Sequence, residues 1–216
     1  GRFRIQTANT LTVGGNVIID TNGEFEPNVA GATATITGNV EMTGGLYDQN
    51  EGTVTVGGNF TNNGGTLTVD GAASILAITG NYITSGGTTT NNINTVTLSF
   101  VDMAVNTGAT VNVGNTDITS TGTITVDNGV FTIDGAGGSY NFADVTVNAN
   151  GSWIATAAYD PTFTNATITN NGIFTGCSNT TGCSYALEGT GGFAGSAAMT
   201  SMSDFVLGDG ATYTNT

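Results

Sequence analysis

Residues 52–71 alternate apolar and polar positions with period two. Val54 and Val56 alternate with Thr53 and Thr55, and Leu67 and Val69 alternate with Thr66 and Thr68. That alternation predicts two short, half-buried strands, and β-branched Val and Thr suit a pleated surface. Asn63-Gly64 between them is a turn signal, because both residues tolerate positive φ. Taken alone, the stretch reads equally well as an antiparallel hairpin. Repetition at a fixed period along the chain points elsewhere.

The turn glycine recurs as Gly23, Gly44, Gly64, Gly86, Gly108, Gly129, Gly151, Gly172, Gly191 and Gly210. The spacing is nearly constant and shortens slightly at the last two steps. Each glycine follows a small polar residue, as in Asn22-Gly23, Thr43-Gly44 and Asp209-Gly210. A mostly apolar position lies four residues before it, for example Ile19, Val40, Phe60, Tyr82, Ala104, Val147 and Ile168. Another follows it in most repeats, at Phe25, Leu67, Val111, Phe131, Trp153 and Phe174. The repeat at Gly86 matches least well, with Thr88–Thr90 in that place.

A second corner keeps the same period. Gly15-Asn16-Val17, Gly38-Asn39-Val40, Gly58-Asn59-Phe60 and Gly80-Asn81-Tyr82 recur at the spacing of the turn glycines. Two corners in phase predict a coil with flat sides and defined bends. No stretch carries a helical period. An all-strand chain with this repeat predicts an all-β, single-domain parallel β-helix, a β-solenoid of about ten coils of ~21 residues. It is taken as right-handed, the usual hand of such coils. The expected organisation is one domain over 1–216. Residues 1–9 form a lead-in strand, 10–92 a first coil type, and 93–216 a second. The second type contains the near-copies that begin at Phe100, Phe142, Phe163 and Met202.

Composition narrows the function classes. The formal net charge is −14, with no Lys and no His, and the only basic residues are Arg2 and Arg4. Such a surface repels nucleic acid and anionic membranes. No apolar run is long enough for a membrane helix. Gly1-Arg2-Phe3-Arg4 leads straight into a strand pattern without a signal peptide, as in a mature or excised secreted chain. Cys177 and Cys183 enclose a short polar loop, and a local disulfide in an oxidising compartment is the preferred reading. Free thiols are the alternative. A metal site is disfavoured without His or further Cys.

The phrases Gly-Asn-Phe-Thr-Asn-Asn-Gly-Gly-Thr-Leu-Thr-Val and Thr-Asn-Ala-Thr-Ile-Thr-Asn-Asn-Gly-Ile-Phe resemble the Gly/Asn/Thr-rich repeats of secreted bacterial surface proteins. These include filamentous adhesins, autotransporter passenger regions and large surface proteins of gliding bacteria. The resemblance covers nearly the whole chain. It implies a secreted, extracellular or cell-surface stalk, adhesin or fibre, and it transfers no functional residue.

Enzyme chemistry finds little support. A polysaccharide lyase needs a base and cations facing an acidic substrate, and only Arg2 and Arg4 are cationic. Asn115-Thr116-Asp117 matches a short hydrolase phrase but lacks an accompanying acidic pair. Asp102, Asp144 and Asp204 read as one recurring corner position, each capping a turn. Asp70, Asp127 and Asp134 precede turns, and Asx turns explain them without a calcium loop. No cofactor is expected beyond weak surface calcium. Thr-x-Thr pairs recur at Thr10, Thr33, Thr53, Thr66, Thr95, Thr123 and Thr167. Flat Thr arrays on solenoids serve ice binding, but these uneven steps do not place every pair on one face.

The open ends of a solenoid are rows of unpaired backbone groups that need covering. No amphipathic capping helix is visible, and the pattern still runs at Ala211-Thr212-Tyr213. Head-to-tail stacking of an open kind would give a filament. Its expected contacts are Arg2, Phe3, Arg4, Ile5 and Tyr213, with Arg2 and Arg4 meeting acidic residues of the next subunit. The predicted function is therefore a non-enzymatic extracellular structural protein that self-associates, with no nucleic-acid partner and no membrane insertion. A surface adhesin binding glycan or protein through its flat faces is the alternative. An ice-binding or carbohydrate-active β-helix comes third.

Overall fold

The computed structural model describes residues 1–71, 73–86, 90–94, 97–135, 137–156, 162–164, 166–176, 184–200 and 204–214. At 90–91, 162–164, 184, 186–188, 199, 204–206 and 213 only the backbone is described. Among the described residues the secondary structure consists of thirty short strands and no helix. The strands fall into three sheets of ten, each sheet taking every third strand. Face A begins with Arg2–Ile5 and Glu24–Pro27, face B with Thr10–Val13 and Thr33–Ile36, and face C with Val17–Ile19 and Val40–Met42. The chain is thus an all-β, three-sided parallel β-solenoid.

The pairing settles the ambiguity of residues 52–71. Thr53–Val56 pairs in parallel with Thr33–Ile36 on one side and Ile75–Ile78 on the other. Thr66–Val69 pairs with Leu46–Gln49 and Thr90–Ile93. The two strands read from that stretch lie in different sheets and never pair with each other. A face C strand, Phe60–Asn62, lies between them, so their backbone groups are met one coil away.

Register places like on like. On face C the inward row runs Val17, Val40, Phe60, Tyr82, Met103, Ile124 and Val145. Ala104 belongs to the outward row instead, paired with Ile83 and Thr125. Counting back from the glycine crosses rows at that coil. Each fully buried aliphatic or aromatic side chain contributes about 1.5–3 kcal/mol. Aromatic rings cluster along the interior. Phe3, Phe25, Tyr47, Phe60 and Tyr82 follow one another at centroid spacings of 5.7, 5.5, 5.3 and 5.6 Å. A second group centres on Trp153, between Phe131 at 4.4 Å and Phe174 at 5.7 Å.

Polar groups in the core are paired, and no described buried side-chain polar atom lacks a partner. Asn62 faces inward where face C turns into face A. Its Oδ1 accepts the Gly65 N–H at 2.9 Å, and its Nδ2 donates to the Gly65 carbonyl at 3.1 Å. Gln49 accepts the Tyr47 hydroxyl and donates to the Gly52 and Ile75 carbonyls, all at 2.9 Å. These amides do inside the coil what water does outside it.

The glycine ladder divides between two corners. Gly23, Gly44, Gly64, Gly86, Gly108, Gly129, Gly151 and Gly172 all lie in the turn from face C to face A. Gly191 and Gly210 do not. They precede Gly192–Ala194 and Thr212–Tyr213, in the turn from face B to face C. The C-to-A corner after Gly172 is supplied by Gly195, at φ 131°. The shorter last steps of the sequence ladder record this change of corner.

Candidate functional site

The first strand of face A carries the residues expected to meet a neighbour. Arg2–Ile5 pairs with Glu24–Pro27 through Arg2↔Glu24, Phe3↔Phe25 and Arg4↔Glu26. Arg2 grips Glu26 through Nε at 2.8 Å and a terminal amine at 2.9 Å, and its Nε also lies 3.0 Å from Glu24. Arg4 also donates to Glu26. Glu26 is only 3% exposed, so two guanidinium groups hold one nearly buried carboxylate. Arg2 and Arg4 are the residues expected to face acidic groups of another subunit. Their charges are instead engaged within the chain, because parallel register sets Glu24 and Glu26 directly beside them.

Phe3 and Ile5 differ in exposure. Ile5 is buried in the core. Phe3 is 48% exposed and lies nearly parallel to Phe25, at an interplanar angle of 8°. Its second ring face is therefore presented outward along the coil axis. Tyr213 lies in the strand Thr212–Tyr213, paired with Phe193 at the far end of face C. Cys177 and Cys183, the predicted disulfide, lie outside the described residues.

The second corner, from face B to face C, is an amide ladder. Asn16, Asn39 and Asn59 each accept through Oδ1 the backbone N–H of the next coil's asparagine, at 2.9, 2.8 and 2.9 Å. Asp102 continues the role, accepting the Thr123 N–H at 2.8 Å, and Asp144 accepts that of Thr167 at 2.7 Å. Asp204 is not a third member, since it opens a face B strand opposite Ser184. The phrase Asn115-Thr116-Asp117 is likewise engaged in bonds across coils. Asn115 accepts the Gly137 N–H at 2.8 Å, Thr116 donates to the Ile93 carbonyl at 3.1 Å, and Asp117 accepts the Ser139 N–H at 2.7 Å.

The remaining candidates disperse. No group of three His, Cys, Asp or Glu side chains is placed to hold a metal ion among the described residues. Asp127 accepts from Asn148 at 3.3 Å. The Thr-x-Thr pairs beginning at Thr10, Thr33 and Thr53 come together in register on face B. Ile75 and Ala77 then interrupt the two rows. Thr66 and Thr68 lie on face A, and Thr167 and Thr169 on face C. Thr95 lies outside the described residues. Thr33 spends its hydroxyl on Thr10 at 3.0 Å.

Sequence reading alone passed over one grouping. Asn92 and Asn112 pair across the outer side of face A, and Asn94 and Asn115 follow in the turn to face B. Each pair is separated by the length of the repeat itself. That spacing was the available signal, but abundant Asn elsewhere in the chain hid it.

No protein-family model matches this chain, and comparison with curated proteins and with solved structures finds no significant match either. The class is defined by the fold itself, a parallel β-solenoid repeat protein built from three continuous sheets.

Proposed function

We propose that this chain is an extracellular, non-enzymatic structural protein of the bacterial surface-repeat type, stacking end to end into a filament or contributing a stalk segment. One observation carries the reading. Phe3 continues the aromatic series of Phe25 and Tyr47, stacked nearly parallel on Phe25, and is itself half-exposed. A second copy adding a strand there would extend the sheet and the ring stack together. At about 4.8 Å per coil, ten coils make a rod on the order of 45 Å long. Arg2 and Arg4 are the only trypsin sites in the chain. Both are held by Glu26, which suits an exposed fibre.

Light scattering against concentration, with negative-stain imaging, tests this. The native chain is expected to form rods many subunits long, and Phe3→Asp to remain monomeric. A native chain that stays monomeric at every concentration, or a Phe3→Asp variant that polymerises unchanged, overturns the stacking.

A further inference from the structure

Where face A turns into face B, an open furrow of about 380 Å³ runs across three coils. That volume lies within the roughly 300–1,000 Å³ of small-ligand sites. Its floor is backbone. A Cβ on Gly135 would lie 2.2 Å from the Gly114 carbonyl carbon, so these two glycines are stacked too closely for side chains. Around that bare floor stand Asn92, Asn112, Asn94, Asn115 and Asp134.

The hydrogen bonds already made decide what the furrow offers. Asn94 and Asn115 spend Oδ1 on the Asn115 and Gly137 backbone N–H groups, at 3.0 and 2.8 Å. That fixes their orientation and leaves their NH₂ groups for the furrow. Asn112 donates one N–H to the Asn92 Oδ1 at 3.1 Å, which leaves the Asn112 Oδ1 and the Asn92 NH₂. Asp134 adds an exposed carboxylate. The furrow is thus a mixed set, with several amide donors facing two kinds of oxygen acceptor.

That mixture selects a ligand class. A calcium ion wants six to eight oxygens, and here most groups are N–H donors. An anionic ligand meets Asp134 and the field of a chain of net charge −14. An apolar ligand finds no exposed aromatic or aliphatic wall beyond Ile93, which is buried. A hydroxyl is both donor and acceptor, so vicinal hydroxyls match an amide beside a carboxylate. We propose that this furrow binds a neutral sugar unit of a glycan chain, lying along the solenoid axis. The site lies within a single chain and does not depend on stacking, so the Phe3→Asp chain retains it.

A microarray of neutral and uronate-containing oligosaccharides, probed with the full chain labelled at its N-terminal amine, tests the proposal. The best neutral oligosaccharide is then titrated by calorimetry against the native chain, Asn112→Ala, Asp134→Asn and the face B control Thr55→Ala. Neutral oligosaccharides are expected to bind and uronates to fail. Asn112→Ala and Asp134→Asn should each weaken binding by about tenfold, as loss of one or two hydrogen bonds does. Thr55→Ala should bind as the native chain does. Asp134→Asn is isosteric at an exposed position, so it carries the test if Asn112→Ala fails to fold. Absence of any neutral ligand, preference for uronates, or unchanged affinity in Asp134→Asn overturns the assignment.

Discussion

Asn59 donates its backbone N–H to the Oδ1 of Asn39 at 2.8 Å across one coil. Gly58 makes room for that reach, since a Cβ there would sit 2.2 Å from the same oxygen. The identical relation joins Gly38 to Asn16 at 2.2 Å and Gly80 to Asn59 at 2.3 Å. The Gly-Asn dipeptide is therefore one device shared between neighbouring coils. Gly58→Ala displaces the Asn39 amide, and Asn39→Ala leaves the Asn59 N–H without it. Each is expected to cost about 1–3 kcal/mol. The double variant should cost less than the sum, because the clash disappears with the amide. Thermal melts followed by circular dichroism check this, and strict additivity would count against the coupling.

Trp153 is the single tryptophan and is fully buried between Phe131 and Phe174. Trp153→Ala opens a large cavity and is expected to destabilise by about 3–5 kcal/mol. Trp153→Phe should cost much less, because the stack persists. In the native chain the indole emission should be blue-shifted and should move red in one step with the loss of β-sheet signal. A red-shifted native emission would contradict the burial.

Burial pushes the Tyr140 phenol up to about 12, with the carboxylates of Asp134 and Asp117 adding to the effect. Burial also raises Tyr47 and Tyr82 well above the ordinary value. Folding therefore favours the neutral phenols. Their stabilisation is fully present below the ordinary tyrosine value of about 10 and is lost as pH rises through the folded value. For Tyr140 that window is about pH 10–12. Absorbance titration should show Tyr47 and Tyr82 ionising only with unfolding, and Tyr140 ionising well above the ordinary value. Smooth ionisation of all six tyrosines near their ordinary value in a folded chain would refute this.

Asp48 is raised by its partial burial, then by Asp70 and Glu26, against smaller opposing effects of Asn50 and Arg4. The folded state binds its proton more tightly than the unfolded chain does. Its contribution is favourable at low pH and is lost as pH rises through the folded value. Asp48→Asn should therefore raise the melting temperature at pH 7 and change it little at pH 3. An equal shift at both values would show that charge is not the cause.

The strands were legible because period two is a local property. Val54 and Val56 alternate with their threonines whatever the rest of the chain does, and both are fully buried. The coil period was legible because Asn16, Asn39, Asn59 and Asn81 must lie one coil apart to bond. Corner identity was less so. Gly191 and Gly210 look like further rungs of one ladder, yet they turn face B into face C, because many sharp corners accept a glycine after a small polar residue.

By itself, the sequence determined that this protein is a stack of short strands with a repeat of ~21 residues. Local backbone preference and the recurrence of bond-making residues are both written along the chain. Only the tertiary structure decided that the coil has three sides, that Glu26 takes both arginines, and that Asn92, Asn94, Asn112 and Asn115 border one furrow. Those relations join residues a full coil or more apart in sequence. They depend on how the summed interior side chains set the angle between faces and the register from coil to coil, which no local pattern records.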